Sequence, residues 1–248
     1  QSIYRNYEFF KRKRKKKKKK IWHISDTHSY HRLLNIPKDI DIVAHSGDFT
    51  NYYDRYKNIT EAIDFIHWFG NLDIKHKVLI AGNHDASAFY KDSDLMYWIE
   101  YYNIHYLENE TVEIEGLKIH GSPNTPTFGN WYFMKSRDKL FKHWNESIPL
   151  DTDVLIVHGP PKGVLDLSYS REGKLEYCGC KSLKTLCLEK LNLKACLFGH
   201  IHNNEDIINA GVLKLSQKDT IFSNGSVLTD GKFGKLSSNG NIIDIEYE

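Results

Sequence analysis

The chain has 248 residues, 40% of them hydrophobic and 13% aromatic, which suits one large α/β domain or two small ones with a sizeable core. No apolar stretch reaches the roughly 18 residues of a membrane-spanning helix, and Gln1 to Phe10 lacks the apolar core of a secretory signal. The net charge of +2 hides an asymmetry: Lys11 to Lys20 are ten consecutive basic residues, and without them 34 basic residues fall to 24 against 32 acidic ones, a body of −8. Such a body suits metal ions better than naked nucleic acid.

In chain order, the composition predicts a basic, solvated segment over 1–20 and a single folded domain over 21–248. Ile21 to Ile24 and Ile40 to Ala44 are expected buried strands. An amphipathic helix carries Ala62, Ile63, Phe65, Ile66 and Phe69, with Thr60 its expected N-cap. Val78 to Ala81 is the next strand. Ser93 caps a second helix with Leu95, Met96, Trp98 and Ile99. Thr111 to His120 alternates around Glu115-Gly116 and predicts a hairpin. Val154 to Val157 and Ala195 to Phe198 are further buried strands, separated by a helix bearing Leu183, Leu186, Cys187 and Leu191. From Ile207 onward, short strands with Asn-Gly turns at Asn224-Gly225 and Asn239-Gly240 are expected. A chain that opens as βαβ and ends in antiparallel strands predicts an α/β sandwich with mixed sheets.

Five polar motifs interrupt this pattern, each directly after an apolar run: Asp26-Thr27-His28, Gly47-Asp48, Gly82-Asn83-His84-Asp85, His158-Gly159 and Gly199-His200-Ile201-His202. In open α/β sheets ligands bind beyond the carboxyl ends of strands, so five such clusters can converge on one site. Asp26, His28, Asp48, Asn83, His158, His200 and His202 supply two carboxylates, four imidazoles and one amide. Seven ligands exceed the needs of one zinc and suit two ions sharing a bridge, for which Asp48 is the natural candidate. Mixed nitrogen and oxygen ligation without thiolate suits Mn, Fe, Zn or a similar divalent ion rather than Ca. Two metals roughly 3.5–4 Å apart can hold a hydroxide between them and polarise a phosphoryl group for in-line attack.

The five motifs resemble those of the calcineurin-like metallophosphoesterase superfamily, D-x-H, G-D-x-x, G-N-H-[DE], H and G-H-x-H, over residues 21–226. That resemblance implies a four-layer αββα sandwich of two mixed β-sheets flanked by helices. It also implies a ligand set: Asp26, His28 and His202 on the first metal, Asn83, His158 and His200 on the second, Asp48 bridging. By the same resemblance His84 is a catalytic residue that protonates or stabilises the leaving oxygen, and Asp85 orients it. Ser25-Asp26-Thr27-His28, Gly47-Asp48-Phe49-Thr50, Gly121-Ser122-Pro123 followed by Trp131, and His158-Gly159-Pro160-Pro161 are similar to the small metallophosphoesterase-domain-containing subgroup, which is linked to hydrolysis of phosphodiesters including cyclic nucleotides. The serine/threonine phosphatase branch carries G-D-x-V-D-R-G and R-G-N-H-E; here Asn51, Tyr52 and Ala81 stand around those positions and both arginines are missing. A phosphodiester carries one charge fewer than a monoester and needs less clamping.

The expected activity is therefore metal-dependent phosphodiester hydrolysis. The alternatives are a non-catalytic metal-binding scaffold on the same fold, a phosphomonoesterase, and a nuclease steered by the basic run. Asn83, His84 and His120 are the expected substrate contacts, and Trp131, Tyr132 and Phe133 form either a stacking lid or part of the core. His31 and His45 flank motifs and are candidates for support of the ligands. Cys178, Cys180, Cys187 and Cys196 lack paired C-x2-C knuckles and are expected as reduced, mostly buried thiols. Sequons at Asn58, Asn109, Asn145 and Asn224 are expected to be incidental. Lys11 to Lys20 has three readings: a nuclear signal, a contact for nucleic acid or anionic membrane, or an inert solvated tract. The expected location is the cytoplasm, or the nucleus if the run is a signal.

Overall fold

The computed structural model describes residues 16–231 and 234–248. β1 (Lys17–Ile24) is followed by β2 (Ile42–Ser46), α1 (Arg55–Gly70), β3 (His76–Ile80), α2 (Ala86–Phe89), α3 (Ser93–Tyr101) and β4 (His105–Tyr106). A hairpin of β5 (Glu110–Ile114) and β6 (Leu117–Ser122) leads through β7 (Thr125–Pro126) and β8 (Met134–Lys135) to α4 (Arg137–Ser147) and β9 (Val154–Val157). A second hairpin, β10 (Leu167–Tyr169) and β11 (Leu175–Tyr177), precedes α5 (Lys181–Thr185). The chain closes with β12 (Ala195–Phe198), β13 (Gly211–Lys214), β14 (Ile221–Asn224) and β15 (Asn241–Tyr247).

Two mixed sheets carry the fold among the described residues. The first has the order β15-β1-β2-β3-β4 and the second β13-β14-β12-β9-β6-β5. In each, the central strands run parallel and antiparallel strands close the edges: β15 on the first, β13 and β5 on the second. Parallel strands covered on both faces must be apolar throughout, which is why β9 and β12 are unbroken hydrophobic runs. Between the sheets, Ile21, Ile42, Val78 and Ile80 meet Ile119, Val154, Ile156 and Leu197. On the outer face of the first sheet, α1 and α3 bury Ala62, Phe65, Ile66, Phe69, Leu95 and Ile99. On the outer face of the second, α4 and α5 bury Leu140, Trp144 and Leu183 against Leu155, Val157 and Phe198. The result is four layers, helix, sheet, sheet, helix, as the motif resemblance implies. Full burial of one such Leu, Ile or Phe contributes about 1.5–3 kcal/mol.

The strand at the head of the chain begins four residues before Ile21. Lys17 to Lys20 pair antiparallel with Tyr247 to Asp244. The acidic partner strand makes this possible: Lys18 Nζ lies 3.8 Å from Asp244 and Lys16 Nζ 3.8 Å from Glu246. Lys19 Nζ sits 2.6 Å from Glu115 at the tip of the β5–β6 hairpin. The last part of the basic run is thus paired sheet, and residues 11–15 lie outside the described residues.

Helix starts also differ from the sequence pattern. α1 begins at Arg55, capped by Asp54, whose carboxylate accepts from the Lys57 N–H; its exposed first turn carries no apolar period to announce it. α3 is capped by Asp92 rather than Ser93. The third helix is split, α5 giving way to a wider π-type turn over Leu186–Lys190 in which the Leu191 N–H donates to the Leu186 carbonyl. Asn224-Gly225 is no hairpin turn: Asn224 ends β14, and the backbone runs on to bridge Ser226 with Ser25 at the end of β1.

Candidate metal centre

The five motifs all emerge at the carboxyl ends of parallel strands: β1, β2 and β3 from the first sheet, β9 and β12 from the second. To aim side chains back over the strand ends, the backbone turns sharply. Asp26, His28, Asp48 and His200 take left-handed conformations, with φ of 53°, 37°, 59° and 69°. Such backbone costs about 1–3 kcal/mol per residue and persists where surrounding contacts over-determine it. Two motif glycines are required by closeness rather than flexibility. A Cβ on Gly82 would strike the Asp48 carboxylate and lie 2.6 Å from His158 Cε1. A Cβ on Gly199 would strike Asp26 and Ser25.

The ligating atoms gather in overlapping groups. Asp26, His28 and His202 form one, and Asp48, His158 and His200 another, each with one donor atom per residue within 4.8 Å of the others. His28, Asp48 and His84 form a third on the same criterion, so Asp48 is shared. His202 Nε2 is 3.0 Å from Asp26 Oδ1, His158 Nε2 is 3.3 Å from Asp48 Oδ2, and His28 Nε2 is 3.8 Å from Asp48 Oδ2. Asn83 Oδ1 lies 2.9 Å from His158 Nε2. The structure therefore brings all seven expected ligands to one place, with Asp48 between two groups.

Backbone carbonyls orient the rings. His28 Nδ1 contacts Thr50 O at 2.8 Å and His158 Nδ1 contacts Ser46 O at 2.9 Å, which turns each Nε2 inward. The Asp26 carboxylate accepts from the His200 N–H and the Ser226 hydroxyl. Electrostatics support occupation by cations. Burial opposes charge on His158 and His202, yet the carboxylates of Asp48 and Asp26 outweigh it and raise both pKa values to about 9. Burial likewise works against the Asp26 and Asp48 carboxylates, but the imidazoles around them hold both below the ordinary range. His28 and His200, desolvated by burial, fall to about 4 and about 3 and so present neutral imidazole. Two buried carboxylates with neutral and proton-bearing imidazoles form a donor set that fits two divalent ions, each replacing a proton.

His84 is half-buried, with its ring centroid 4.8 Å from His28 and 4.3 Å from Trp131. Its backbone N–H donates to Asp48 Oδ1 and its Nδ1 lies 3.2 Å from Asn51 O. Asp85 does not hold the His84 ring. Its two oxygens accept from the N–H groups of Asp48, Gly82 and Thr50 and from the Thr50 hydroxyl. Its work is to tie the second motif to the third. Burial and the Asp48 charge push its pKa up to about 8 against the pull of those donors.

His120 is corrected as a substrate contact. It is buried in β6, its Nδ1 2.8 Å from Thr111 Oγ1, and it does not line the cavity over the metal centre. His45 supports the site as expected, taking the Gly47 N–H on Nδ1 and facing Thr27 Oγ1 with Nε2; His31 packs on Phe65 and Trp68. Trp131 lines the cavity, Tyr132 stacks on Tyr53, and Phe133 is core. All four cysteines are free thiols, and Cys180, Cys187 and Cys196 are buried.

Three further residues support the site, of which the sequence marks only Asn224, in an Asn224-Gly225-Ser226 stretch similar to the small metallophosphoesterase-domain-containing subgroup. Asn58, which lies in a sequon, is fully buried; its amide donates to Thr50 Oγ1, Tyr52 O and His84 O while its oxygen takes Ser87. Asp230 Oδ1 stands 3.5 Å from His202 Nδ1. Asn224, also in a sequon, donates to Leu165 O and Ile201 O. A polar residue at a buried helix position is the only trace of Asn58, and Asp230 lies 28 residues past its partner.

A family model for calcineurin-like phosphoesterases matches residues 19–204. The chain belongs to this family. It is 33% identical over 204 residues to a UPF0046 protein of Caenorhabditis elegans, covering 76% of this chain and 70% of that protein. It is 32% identical over 228 residues to human metallophosphoesterase domain-containing protein 1, covering 83% of this chain; the chain spans 65% of that protein's length. A solved crystal structure superposes with a TM-score of 0.60 at 19% identity, over 84% of this chain and 90% of that one, a likeness of fold. Calcineurin-like phosphoesterases are metal-dependent phosphoester hydrolases that typically bind two divalent metals. No helix among the described residues is long and apolar enough to cross a membrane.

Proposed function

We propose that the chain is a dinuclear metal-dependent phosphodiesterase acting on a small diester such as a cyclic nucleotide, with Mn²⁺ among its working ions. The observation that carries this reading is the Asp48 carboxylate shared between two imidazole groups at the floor of a cavity of about 740 Å³. Bound there, two divalent ions would polarise a phosphoryl oxygen and lower the pKa of the attacking water.

The chain's own residues do the rest. Asp26, His28 and His202 hold one position and Asn83, His158 and His200 the other. In this reading His84, on the cavity wall beside Trp131 and with its Nδ1 3.2 Å from the Asn51 carbonyl, gives a proton to the leaving oxygen. A diester is favoured because the motif loops contribute no arginine to the cavity: Arg137 and Arg171 come from α4 and the β10–β11 turn. Where the phosphatase branch has its first arginine stands Tyr52, whose N–H, with that of Asn51, donates to the Glu61 carboxylate. Comparing Mn-loaded protein on bis(p-nitrophenyl) phosphate and p-nitrophenyl phosphate tests this. A diester preference supports it; a strong monoester preference overturns it.

A further inference from the structure

The cavity over the metal centre is larger than a simple diester needs and continues away from the ligands. Its far wall is made by the segment after β9, by the β10–β11 hairpin and by the start of α5. Besides Arg137, three cations stand in that wall: Lys162, Arg171 and Lys181. None of the three makes an ion pair or side-chain hydrogen bond among the described residues, although the body of the chain is acidic. The carboxylates lining the same cavity are otherwise engaged at its metal pole: Asp48 faces His158 and Asp230 faces His202, leaving Glu176 on β11.

The wall is built, not draped. Pro161 bridges Cys180 in parallel register, and the Lys162 N–H donates to Cys180 O, so Lys162 and Lys181 each follow a bridged residue. The Arg137 guanidinium holds the carbonyls of Cys178 and Gly179 at 3.1 and 3.0 Å. Asp166 Oδ2 accepts from the N–H groups of Gly163 and Gly179. Tyr169 and Tyr177, from the two strands of the hairpin, add aromatic surface to the cavity, and a nucleobase stacks on such rings.

We propose that this wall is a subsite for a second phosphate, so that the substrate is a nucleotidyl phosphodiester carrying a further phosphate group remote from the scissile one. This rests on the diesterase reading of the metal centre. Unpaired lysine and arginine at a cavity wall bind phosphate through charge-assisted hydrogen bonds.

The test uses Mn-loaded protein and two nucleotides, thymidine 3′,5′-bisphosphate and thymidine 5′-monophosphate, titrated by calorimetry. The bisphosphate binds about tenfold tighter, the gain of one charge-assisted contact set. Lys162→Ala combined with Lys181→Ala abolishes that preference, while Lys174→Ala, in the β10–β11 turn but outside the cavity, preserves it. Equal affinities in the unaltered protein overturn the proposal, as does a preference that survives the double substitution or is lost equally with Lys174→Ala. The same samples are assayed on bis(p-nitrophenyl) phosphate. Absence of diester turnover with the bisphosphate preference intact removes the diesterase reading and leaves the phosphate subsite; turnover without the preference does the reverse.

Discussion

The two walls of the cavity are built in opposite ways. The metal pole consists of buried carboxylates and buried or half-buried imidazoles, their donor atoms within 4.8 Å of one another in each group, on strained backbone at strand ends. The far wall consists of exposed cations on the segment after β9, a hairpin turn and a helix start, without ion-pair partners among the described residues and with backbone bonds beneath them. The first arrangement leaves no freedom and suits chemistry that must be positioned closely. The second leaves charge unspent and suits recognition. Function at the first wall should be lost in large steps, and at the second in small ones.

The largest expected effect is at the shared carboxylate. Asp48→Asn should bring diester turnover to background and reduce bound metal, measured by elemental analysis, with the circular dichroism spectrum unchanged; activity near that of the unaltered chain would remove Asp48 as the bridge. Next is His84→Ala, which should keep both metals and lower kcat by roughly 10²–10⁴-fold, the usual worth of a general acid. If metal content falls as well, His84 is a ligand, as its grouping with His28 and Asp48 permits. Smaller again is Asp85→Asn, which removes one oxygen and so the acceptor of two of the four donors that tie the second motif to the third. Metal affinity should fall about 10–100-fold, as for other groups behind the ligands, while the His84 proton step, read from the pH profile of kcat, should not shift.

The pH dependence distinguishes the two walls without mutation. His158 and His202 have folded pKa values near 9, above the ordinary 6.5. In metal-free protein their contribution to stability is complete below about 6.5 and is lost as pH rises through about 9. Metal and proton compete for the same nitrogens, so metal affinity rises over that window. Thermal unfolding of chelator-treated protein should therefore show a falling Tm from about pH 6.5 to 9, and metal-loaded protein should not. A metal-free Tm that is flat or rises over this range would contradict the pairing of these imidazoles with Asp26 and Asp48.

Legibility in the sequence follows the same division. The metal pole could be read because its ligands cluster in short motifs, each after an apolar run, and because a buried parallel strand must be apolar from end to end. The ends of the elements could not. Lys17 to Lys20 form a strand by pairing with Tyr247 to Asp244, a partner more than 220 residues away. The role of Asp85 was misassigned because adjacency to His84 says nothing of which way a buried carboxylate points. Asn58 was hidden by a sequon and His120 favoured by its neighbours, while burial decides both. The far wall was invisible because Lys162, Arg171 and Lys181 are ordinary surface residue types whose convergence depends on the hairpin and the bridge between Pro161 and Cys180.

The most direct measurement of the central claim is metal content and turnover on one sample: Mn-loaded protein, with bound metal counted per chain and kcat/KM compared for bis(p-nitrophenyl) phosphate and p-nitrophenyl phosphate. Two ions per chain with the diester preferred is the expected result; two ions per chain with no turnover of either ester, or with the monoester strongly preferred, would contradict it.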